Sequence, residues 1–360
     1  MENKHSVAKD QRRGRGAVSN QAGRFEAFEK VGFDDGWARE EDRAPIRTEV
    51  RIERPRKIIS RNSSPDLSFD RSINPYRGCE HGCIYCFARP SHGFLGMSAG
   101  LDFETKLIAR PKAAEVLAEE LSKPGYAPQA MAVGTNTDPY QPIEGKYRVM
   151  RECLEVLSAF NHPVTITTKG ALIERDLDLL ADMAERNLAR VGITITTLDA
   201  GLSRKLEPRV PSPKRQLAII ERLARAGVPV RLMLSPVIPG LTDHEIEAIL
   251  ENAAEAGACS ATWAMLRLPY EVSELFQEWL QEHVPGRAGK VMARVRELHG
   301  GKTYEASWGK RLRGEGVYAN LIAQRVTKAR KRYGLDRPPP ALALDRFKVP
   351  QRVGDQLSLF

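Results

Sequence analysis

Long apolar runs are missing from this 360-residue sequence. No stretch approaches the roughly 18 apolar residues that a membrane-spanning helix needs. The N-terminal segment also lacks the apolar core of a secretory signal peptide, since it reads MENKHSVAKDQRRGRG. The 28 glycines and 23 prolines are close to average numbers, which excludes collagen-like and wholly disordered structure. The composition therefore predicts a soluble, cytoplasmic protein that does not associate with membranes.

Cysteine is scarce and unevenly placed. The chain has five cysteines, and three of them lie between Cys79 and Cys86. This arrangement does not fit the disulfide framework of a small secreted protein. A tight cysteine cluster in a cytoplasmic protein instead predicts a metal site.

Positive charge is concentrated near the C-terminus. Residues 287–348 carry 16 Lys or Arg against 5 Asp or Glu, a net charge of +11, whereas the whole chain carries +9. The remainder is therefore close to neutral. A basic C-terminal portion indicates a polyanionic partner, with nucleic acid first. A solubilising charged surface is an equally good interpretation of charge alone.

Composition and periodicity divide the chain into four parts. Residues 1–65 are polar and without sustained periodicity, which predicts a flexible, largely disordered N-terminal arm with a strand near Ile58–Ile59. Residues 66–270 alternate between apolar runs and helical patterns. Residues 271–334 are predicted to form a basic, mainly helical extension, and residues 335–360 a flexible tail that begins with a proline-rich linker.

Residues 66–270 consist of repeated strand–helix units of about 30 residues, which are typical of parallel α/β folds. The predicted strands are Ser72–Tyr76, Ala130–Val133, Val164–Thr167, Val191–Thr196, Val228–Leu234 and Ala261–Leu266. The predicted helices are Lys112–Leu121, Tyr147–Phe160, Ile173–Arg186, Lys214–Ala226 and His244–Ala256, with Glu271–Glu282 and Ala288–Leu298 in the extension.

Such units build either a barrel or an open, doubly wound sheet. The Gly-x-Gly-x-x-Gly sequence that follows the first strand of a dinucleotide-binding open sheet is missing here. We therefore predict an α/β fold built as a partial (β/α)6, TIM-like barrel. Its functional residues are expected at the C-terminal ends of the strands.

The clustered cysteines follow the first predicted strand with the spacing C-x3-C-x2-C. A [4Fe–4S] cluster held by Cys79, Cys83 and Cys86 would keep one iron free of protein ligands. Such an iron can chelate the amino and carboxylate groups of a small molecule. The alternative is a structural zinc ion with His81 or His92 as the fourth ligand. The loop glycines are expected to let the backbone wrap closely around the inorganic group.

The other two cysteines are interpreted as structural. Cys153 shares one helical face with apolar neighbours, and Cys259 begins the sixth predicted strand. The chain therefore lacks the second cysteine pair that zinc knuckles use, which favours the iron–sulfur cluster.

Three stretches of the sequence resemble the radical S-adenosylmethionine (SAM) superfamily, and within it the branch that contains spore photoproduct lyase. They are Asn74–Cys86, Thr137–Glu144 and Leu206–Arg215. The resemblance implies an enzyme in which a reduced [4Fe–4S] cluster cleaves SAM into methionine and a 5′-deoxyadenosyl radical, which abstracts hydrogen from a substrate. It also implies a reducing electron donor of the flavodoxin or ferredoxin type.

The resemblance further implies which residues bind SAM. Thr137 and Asp138 follow the second strand, at the position that binds the methionine ammonium, and Lys169 follows the third, where it can meet the carboxylate. Further candidates are Tyr85 near the cluster and adenine, Thr135, Thr196 at the ribose position, Glu207, and Ser235 in the adenine-holding segment.

Each of these residues also has a plain structural interpretation. Threonine is common in strands because it packs well there. Lys169 precedes Gly170 and is also typical of a turn lysine, and Glu207 and Arg209 are candidates for a purely structural pair.

One departure from the resemblance concerns the return of hydrogen to the product radical. Spore photoproduct lyase uses a cysteine in its second-strand segment, whereas residues 130–135 of this chain read AMAVGT. Repair of the same photoproduct is therefore not expected. Tyr304 and Tyr318 are candidate donors, but the sequence does not select one.

The last residues of the chain resemble the short peptide with which bacterial repair and replication proteins dock onto the DNA polymerase sliding clamp. The motif comprises Gln356, Leu357, Leu359 and Phe360. Leu359 and Phe360 would fill an apolar pocket while Gln356 hydrogen-bonds at its rim. A tail that packs back onto the barrel is the alternative.

These features together predict a radical SAM enzyme that acts on DNA in repair or modification. The alternatives are a radical SAM enzyme that acts on RNA, a peptide or a small molecule, and a zinc-containing nucleic-acid-binding protein without enzymatic activity.

Overall fold

Strands and helices alternate through most of the chain in the computed structural model, which describes residues 5–26 and 44–351. The strands within these residues are β1 (Glu49–Ile52), β2 (Ile59–Arg61), β3 (Arg71–Ile73), β4 (Tyr76–Arg77), β5 (Lys106–Ala109), β6 (Met131–Val133), β7 (Val164–Thr168), β8 (Ala189–Thr194), β9 (Val230–Val237) and β10 (Ser260–Met265). Strand β2 begins close to where the sequence predicts a strand in the N-terminal arm.

The α-helices of the same residues are α1 (Asp102–Thr105), α2 (Ala113–Leu121), α3 (Glu144–Tyr147), α4 (Val149–Ala159), α5 (Leu177–Glu185), α6 (Ala200–Leu206), α7 (Pro213–Arg225), α8 (Ile246–Glu255), α9 (Glu271–His283), α10 (Pro285–Leu298) and α11 (Gly316–Arg332). Short 3₁₀ helices span Arg89–Leu95, Ala171–Asp176 and Asp243–Glu245.

Seven strands form the central sheet, in the order β10-β9-β8-β7-β6-β3-β2. The six strands from β3 to β10 in this sheet pair in parallel, and β2 is antiparallel to β3. These six parallel strands coincide with the six predicted ones, and at least one helix lies in each connection. The predicted α/β fold is therefore confirmed. Among the described strands β10 and β2 do not pair, so the sheet is a partial barrel.

Helices cover the sheet with apolar faces. Helix α4 buries Val149, Met150, Cys153, Leu154 and Leu157, which confirms that Cys153 is a core residue. Helix α7 begins at Pro213 after Ser212, whose hydroxyl accepts a hydrogen bond from the Arg215 N–H. The same combination of proline and N-cap serine makes this helix recognisable in the sequence.

Helix α11 lies in the extension that is predicted to be mainly helical, but the sequence pattern does not mark it as an individual helix. Its buried face consists of Ala319, Ile322, Val326 and Ala329, and half of these side chains are single methyl groups. Because alanine is only weakly hydrophobic, the hydropathy of this face differs little from that of the polar residues around it. Helix α11 nevertheless packs on α8, because small side chains let two helices approach closely.

The C-terminal extension bridges the open side of the barrel. At the end of β10, the Met265 N–H donates to the Leu312 carbonyl at 2.9 Å. In the loop after β2, Asp66 accepts hydrogen bonds of 2.7 Å from the Gly309 N–H and from Arg311 Nε. One short segment of the extension therefore contacts both edge regions of the sheet.

Residues 5–26 pack against the rest of the protein, which corrects the prediction of a largely disordered arm for this part of residues 1–65. Ala17, Val18 and Ser19 are buried, and Arg12 Nη2 donates to Glu282 Oε2 at 2.6 Å. Polar groups and backbone amides hold this segment in place. A search for apolar periodicity therefore does not detect it.

Two predictions are not tested by this structure. The peptide from Gln356 to Phe360 lies outside the described residues, and the division of the chain at residues 65, 270 and 334 stays a prediction. Among the described helices, none has the length and apolar character needed to cross a bilayer.

Candidate active site

The cysteine loop lies between β4 and the 3₁₀ helix that begins at Arg89. Cys79, Cys83 and Cys86 are free thiols, of which the first two are buried and the third is half-buried. Burial, and next to it the charge of Cys79, raises the pKa of Cys86 to about 11. Burial also raises the pKa of Cys83. Thiols that are buried and influence one another in this way become thiolates most readily when a metal takes their charge.

A fully buried arginine holds the backbone of this loop. Arg89 donates to the carbonyl oxygens of Gly82 at 3.1 Å and Cys83 at 2.9 Å. It also donates to the carbonyls of Ala99 and Gly100, at 3.1 and 2.9 Å. A guanidinium is planar and has five N–H donors, so a single arginine side chain can hydrogen-bond to the carbonyls of two loops at once and hold them at a fixed distance.

Glu104 is the counter-ion of Arg89 and is equally buried. Arg89 Nη2 lies 2.5 Å from Glu104 Oε1. The two carboxylate oxygens of Glu104 also accept hydrogen bonds from the backbone N–H groups of Gly16 at 2.8 Å and Ala17 at 2.9 Å. The N-terminal segment is thus fastened to the same ion pair as the cysteine loop.

The loop glycines are required by the backbone of the loop itself. Gly78 and Gly82 have φ values of 74° and 67°. A Cβ on Gly82 would lie 2.6 Å from Glu104 Oε2, and one on Gly78 would lie 2.6 Å from Leu107 Cδ2. These glycines are needed for left-handed backbone and close packing against the protein, while their role in letting the backbone wrap around an inorganic group stays a prediction.

Four of the predicted SAM-binding residues come together beside the cysteine loop. Lys169 Nζ lies 3.0 Å from Thr196 Oγ1 and 2.9 Å from Glu207 Oε1. Thr196 Oγ1 lies 2.7 Å from the same Glu207 oxygen. The Tyr85 hydroxyl hydrogen-bonds to Glu207 and lies 3.0 Å from Thr196 Oγ1. The ends of β7 and β8, the residue after α6, and the cysteine loop all contribute to this cluster.

Burial dominates the electrostatics of this cluster. It lowers the pKa of Lys169 to about 8 and raises the pKa of Glu207 to about 8. Burial makes the charged form of each group costly. At pH 7 these values leave Lys169 as an ammonium and Glu207 largely protonated, so the cluster presents a buried cation beside a neutral carboxyl group that can exchange partners with a charged ligand.

Asp138 occupies a neighbouring position but is heavily engaged. Its carboxylate accepts hydrogen bonds from Thr168 Oγ1 at 2.5 Å, the Tyr140 N–H at 2.9 Å and the Lys169 N–H at 2.7 Å. His81 Nδ1 lies 3.3 Å from its second oxygen. These contacts join the segment after β6 to the end of β7. They favour a positioning role, while the assignment of Asp138 to the methionine ammonium stays a prediction.

His81 lies against the Asp138 carboxylate, and its other electrostatic neighbour is Cys79. Burial by itself disfavours a positive charge on His81, but Asp138 and Cys79 outweigh it and raise the pKa of His81 to about 10. His92 has its own partner, since its Nε2 lies 2.9 Å from the Lys106 carbonyl. Both histidines considered as a fourth zinc ligand thus have other contacts.

The remaining predicted residues lie at the edge of the cluster. The Thr137 hydroxyl donates to the Tyr76 carbonyl at 3.0 Å and is buried. The Ser235 carbonyl lies 3.5 Å from Thr196 Oγ1. Thr135 is half-buried. None of these three assignments is tested by the geometry, and they stay predictions.

The suggested structural pair of Glu207 with Arg209 is wrong. Glu207 faces Lys169, whereas Arg209 Nη1 donates to Glu80 Oε1 at 2.8 Å. The two residues lie on opposite sides of a turn, so their side chains diverge. Arg89 and Glu104, which support the site, were missed because no spacing rule relates them to the cysteines.

The donor set of the loop fits an iron–sulfur group. Within residues 5–26 and 44–351, no three His, Cys, Asp or Glu side chains are placed to hold one metal ion. Cys79, Cys83 and Cys86 nevertheless lie on one loop and influence one another electrostatically. Three separate thiolates are the ligands that a cluster of several irons requires.

Comparison with known proteins identifies the class. The family model described as the radical SAM superfamily matches residues 73–253. The chain belongs to this superfamily and is an enzyme of the radical SAM type, for which the family implies SAM and an iron–sulfur cluster.

Two proteins illustrate its similarity to relatives in sequence. An uncharacterized protein of Mycobacterium tuberculosis strain H37Rv is 38% identical over 235 residues, which is 65% of this chain and 68% of the relative. The radical SAM Nalpha-GlyT isomerase of Pseudomonas phage M6 is 28% identical over 189 residues, or 51% of this chain and 36% of the relative.

Among solved structures, the fold is similar to that of spore photoproduct lyase complexed with a dinucleoside spore photoproduct. The TM-score is 0.54 at 15% identity, and the match covers 79% of this chain and 78% of the other. At this identity the likeness shows the fold. It confirms that the fold resembles that of spore photoproduct lyase, as the sequence predicts.

The ion pair beneath the cysteine loop generates a stability prediction. Replacing Glu104→Ala leaves the buried Arg89 guanidinium without a counter-ion and two backbone N–H groups without an acceptor. We expect the free energy of unfolding to fall by roughly 3–5 kcal/mol, measured by urea denaturation.

Glu115→Ala is the matched control, because Glu115 pairs with Lys112 on the exposed surface of α2. Its loss should cost less than about 1 kcal/mol. If the two substitutions lower the free energy of unfolding by equal amounts, the buried ion pair does not stabilise the site more than a surface ion pair does.

Proposed function

We propose that this enzyme holds a [4Fe–4S] cluster on Cys79, Cys83 and Cys86 and uses it to cleave SAM reductively. The observation that carries the proposal is the meeting of Lys169, Glu207 and their hydroxyl partners directly beside the three thiols. When bound, the cluster supplies the electron that breaks the S–C5′ bond and yields methionine and a 5′-deoxyadenosyl radical. A donor of the flavodoxin or ferredoxin type provides that electron.

The residues of this chain have binding and orienting roles in this proposal. Lys169 pairs with the methionine carboxylate, and it does so by exchanging its contact with Glu207 for one with the ligand. Thr196 and Glu207, which share a hydrogen bond of 2.7 Å, accept and donate to the ribose hydroxyls. Tyr85 closes the cluster side of the pocket. The surrounding burial keeps water from the reactive radical.

We propose DNA as the substrate, in repair or modification. The extension presents exposed positive charge on α11, where Lys328, Lys331 and Arg332 face solvent while the opposite face packs on α8. Basic side chains in such a row suit a phosphate backbone. Support also comes from the fold shared with spore photoproduct lyase, which was solved with a dinucleoside photoproduct.

Repair of the spore photoproduct itself is not part of the proposal. Strand β6 spans Met131–Val133 and contains no cysteine that could return hydrogen to a product radical. Cys153 is fully buried in the core, and the Tyr318 hydroxyl is engaged by Asp243. The lesion or base that is acted on must therefore differ in how its radical is quenched.

The cluster assignment predicts the fate of SAM. Under strict anaerobiosis, reconstituted enzyme with dithionite and SAM should form 5′-deoxyadenosine. The Cys79→Ala/Cys83→Ala/Cys86→Ala variant should form none, because no thiolate remains to hold iron. The measurement is chromatographic quantification of 5′-deoxyadenosine together with iron and sulfide content.

Cys153→Ala is the matched control, since this cysteine lies in the core and away from the loop. Its iron content should equal that of the parent. A parent protein that holds zinc and no iron would sink the proposal.

The DNA assignment predicts a salt-dependent affinity. Substituting Lys328, Lys331 and Arg332 by Ala should reduce the slope of log K against log[salt] by about three, since each neutralised phosphate contributes about one. Substitution is preferable to truncation because α10 and α11 both contribute to the core. Fluorescence anisotropy with a labelled duplex measures the slope.

The charge-matched control replaces the exposed Lys57, Lys112 and Lys123, which lie elsewhere on the surface. These changes should leave the slope almost unaltered. If RNA, but not DNA, shows the salt-dependent binding, the substrate assignment moves to RNA. If neither binds, the substrate is a peptide or a small molecule.

We also propose that the C-terminal peptide docks on the bacterial sliding clamp. Replacing Leu359 and Phe360 with Ala removes the two side chains that would fill the apolar pocket, and clamp binding measured by surface plasmon resonance should vanish. Gln356 and Leu357 stay in place in this variant. Formation of 5′-deoxyadenosine serves as the control readout and should not change. An unaltered clamp affinity would rule out docking through this peptide.

A further inference from the structure

A basic cavity lies on the outer side of the cysteine loop. Its volume is about 450 Å³, and its lining includes four arginines, Arg13, Arg15, Arg47 and Arg209. Among the described residues that line it, Glu80 is the only acidic one, so the described lining carries a net excess of positive charge. Three of the arginines come from the N-terminal part of the chain, and the fourth follows α6.

The single carboxylate of the cavity is already engaged. Glu80 Oε1 accepts hydrogen bonds from Arg209 Nη1 at 2.8 Å and from Thr48 Oγ1 at 2.5 Å. Arg13 and Arg47 are exposed, and neither forms an ion pair with any residue that the structure describes. Within residues 5–26 and 44–351, these two guanidinium groups therefore lack a carboxylate partner.

Arg15 gives the cavity a buried and incompletely satisfied donor. It is 7% exposed, and its Nη atoms donate to the carbonyls of Glu104 and Ile46, at 3.0 Å each, and to Thr48 Oγ1. Its Nε is buried without a hydrogen-bond partner in the described part of the chain. Burial and, after it, the charge of Arg209 lower the pKa of Arg15 from its ordinary value. Like charges crowded in this manner are stabilised by an anion.

Phosphate suits this cavity better than other anions. A phosphate offers several oxygens and more than one lone-pair direction to each guanidinium, and arginine forks bind such groups in a bidentate manner. We propose that the cavity binds phosphate and, because this rests on the proposed function, that the phosphate belongs to the backbone of the nucleic acid substrate.

The position of the cavity beside the cysteine loop indicates what a bound phosphate would do. Glu80 directly follows the ligand Cys79, and the Arg209 N–H donates to the His81 carbonyl at 3.3 Å. A backbone phosphate held here would be fixed at a defined place relative to the cysteine loop. The strand would thereby be held in register with the site where the radical is formed.

The test uses the full-length enzyme and Arg13→Ala/Arg47→Ala. Both side chains are exposed, so this variant should unfold at the same urea concentration as the parent. We expect parent enzyme to broaden the ³¹P resonance of inorganic phosphate and the variant not to do so. For DNA, the slope of log K against log[salt] should fall by about two, and affinity at 0.1 M salt by roughly tenfold or more.

The control is Arg56→Ala/Lys57→Ala, which removes two exposed charges from the segment between β1 and β2. It should match the parent in both measurements. A variant that still broadens phosphate and keeps the parental slope overturns the proposal. Loss of phosphate binding with an unchanged DNA slope overturns the nucleic acid as the source of the phosphate.

Failure of the proposed function is recognisable separately. If DNA does not bind to the parent but phosphate binds to it and not to the variant, the cavity is a phosphate site and the substrate assignment is wrong. If DNA binds and only the substitutions on α11 alter its slope, the substrate assignment holds and the cavity is not part of the interface.

Discussion

The ion pair between Arg89 and Glu104 is the contact on which the rest of the site depends. Both side chains are fully buried, and charges placed there are stable only while they remain paired and hydrogen-bonded. Arg89 extends the pair to the carbonyls of the cysteine loop, and Glu104 extends it to the amides of Gly16 and Ala17. The cysteine loop and the N-terminal segment are therefore joined through one buried polar network.

This network links the cysteine loop to the basic cavity on its outer side. The N-terminal segment that Glu104 fastens also supplies Arg13 and Arg15 to the basic cavity. The cysteine loop that Arg89 holds supplies Glu80 to the same cavity and Tyr85 to the group of side chains around Lys169 and Glu207. A disturbance of the buried pair is thus expected to reach the residues around Lys169 and the basic cavity together.

Much of the fold was predictable because its strands are apolar and its helices are amphipathic. The six parallel strands and helices such as α4 and α7 follow from periodicity, caps and spacing. Helix α11 was not marked as an individual helix, since its alanine-rich face lacks contrast. The packing of residues 5–26 was also missed, because backbone amides and arginines hold it and these leave no period in a sequence.

The candidate site shows a similar division. The cysteines could be identified from their spacing, and Lys169, Thr196 and Glu207 from the resemblance to the radical SAM superfamily. Which of them touch one another could not, because contact between different strand ends depends on how the barrel curves. Glu207 illustrates this. Its ion-pair partner is Lys169, which follows β7, whereas Arg209, two residues further along the chain, pairs with Glu80.

The bridge across the open side of the barrel has a consequence for the order of folding. Asp66 and Gly309 are 243 residues apart in sequence, and Arg12 and Glu282 are 270 residues apart. Contacts of such high contact order form late, since the intervening chain must first become available. During synthesis, the outer edge of β10 thus waits for Leu312 and Leu335 to arrive. Until then it is an unpaired strand edge, the kind of surface through which incomplete chains associate.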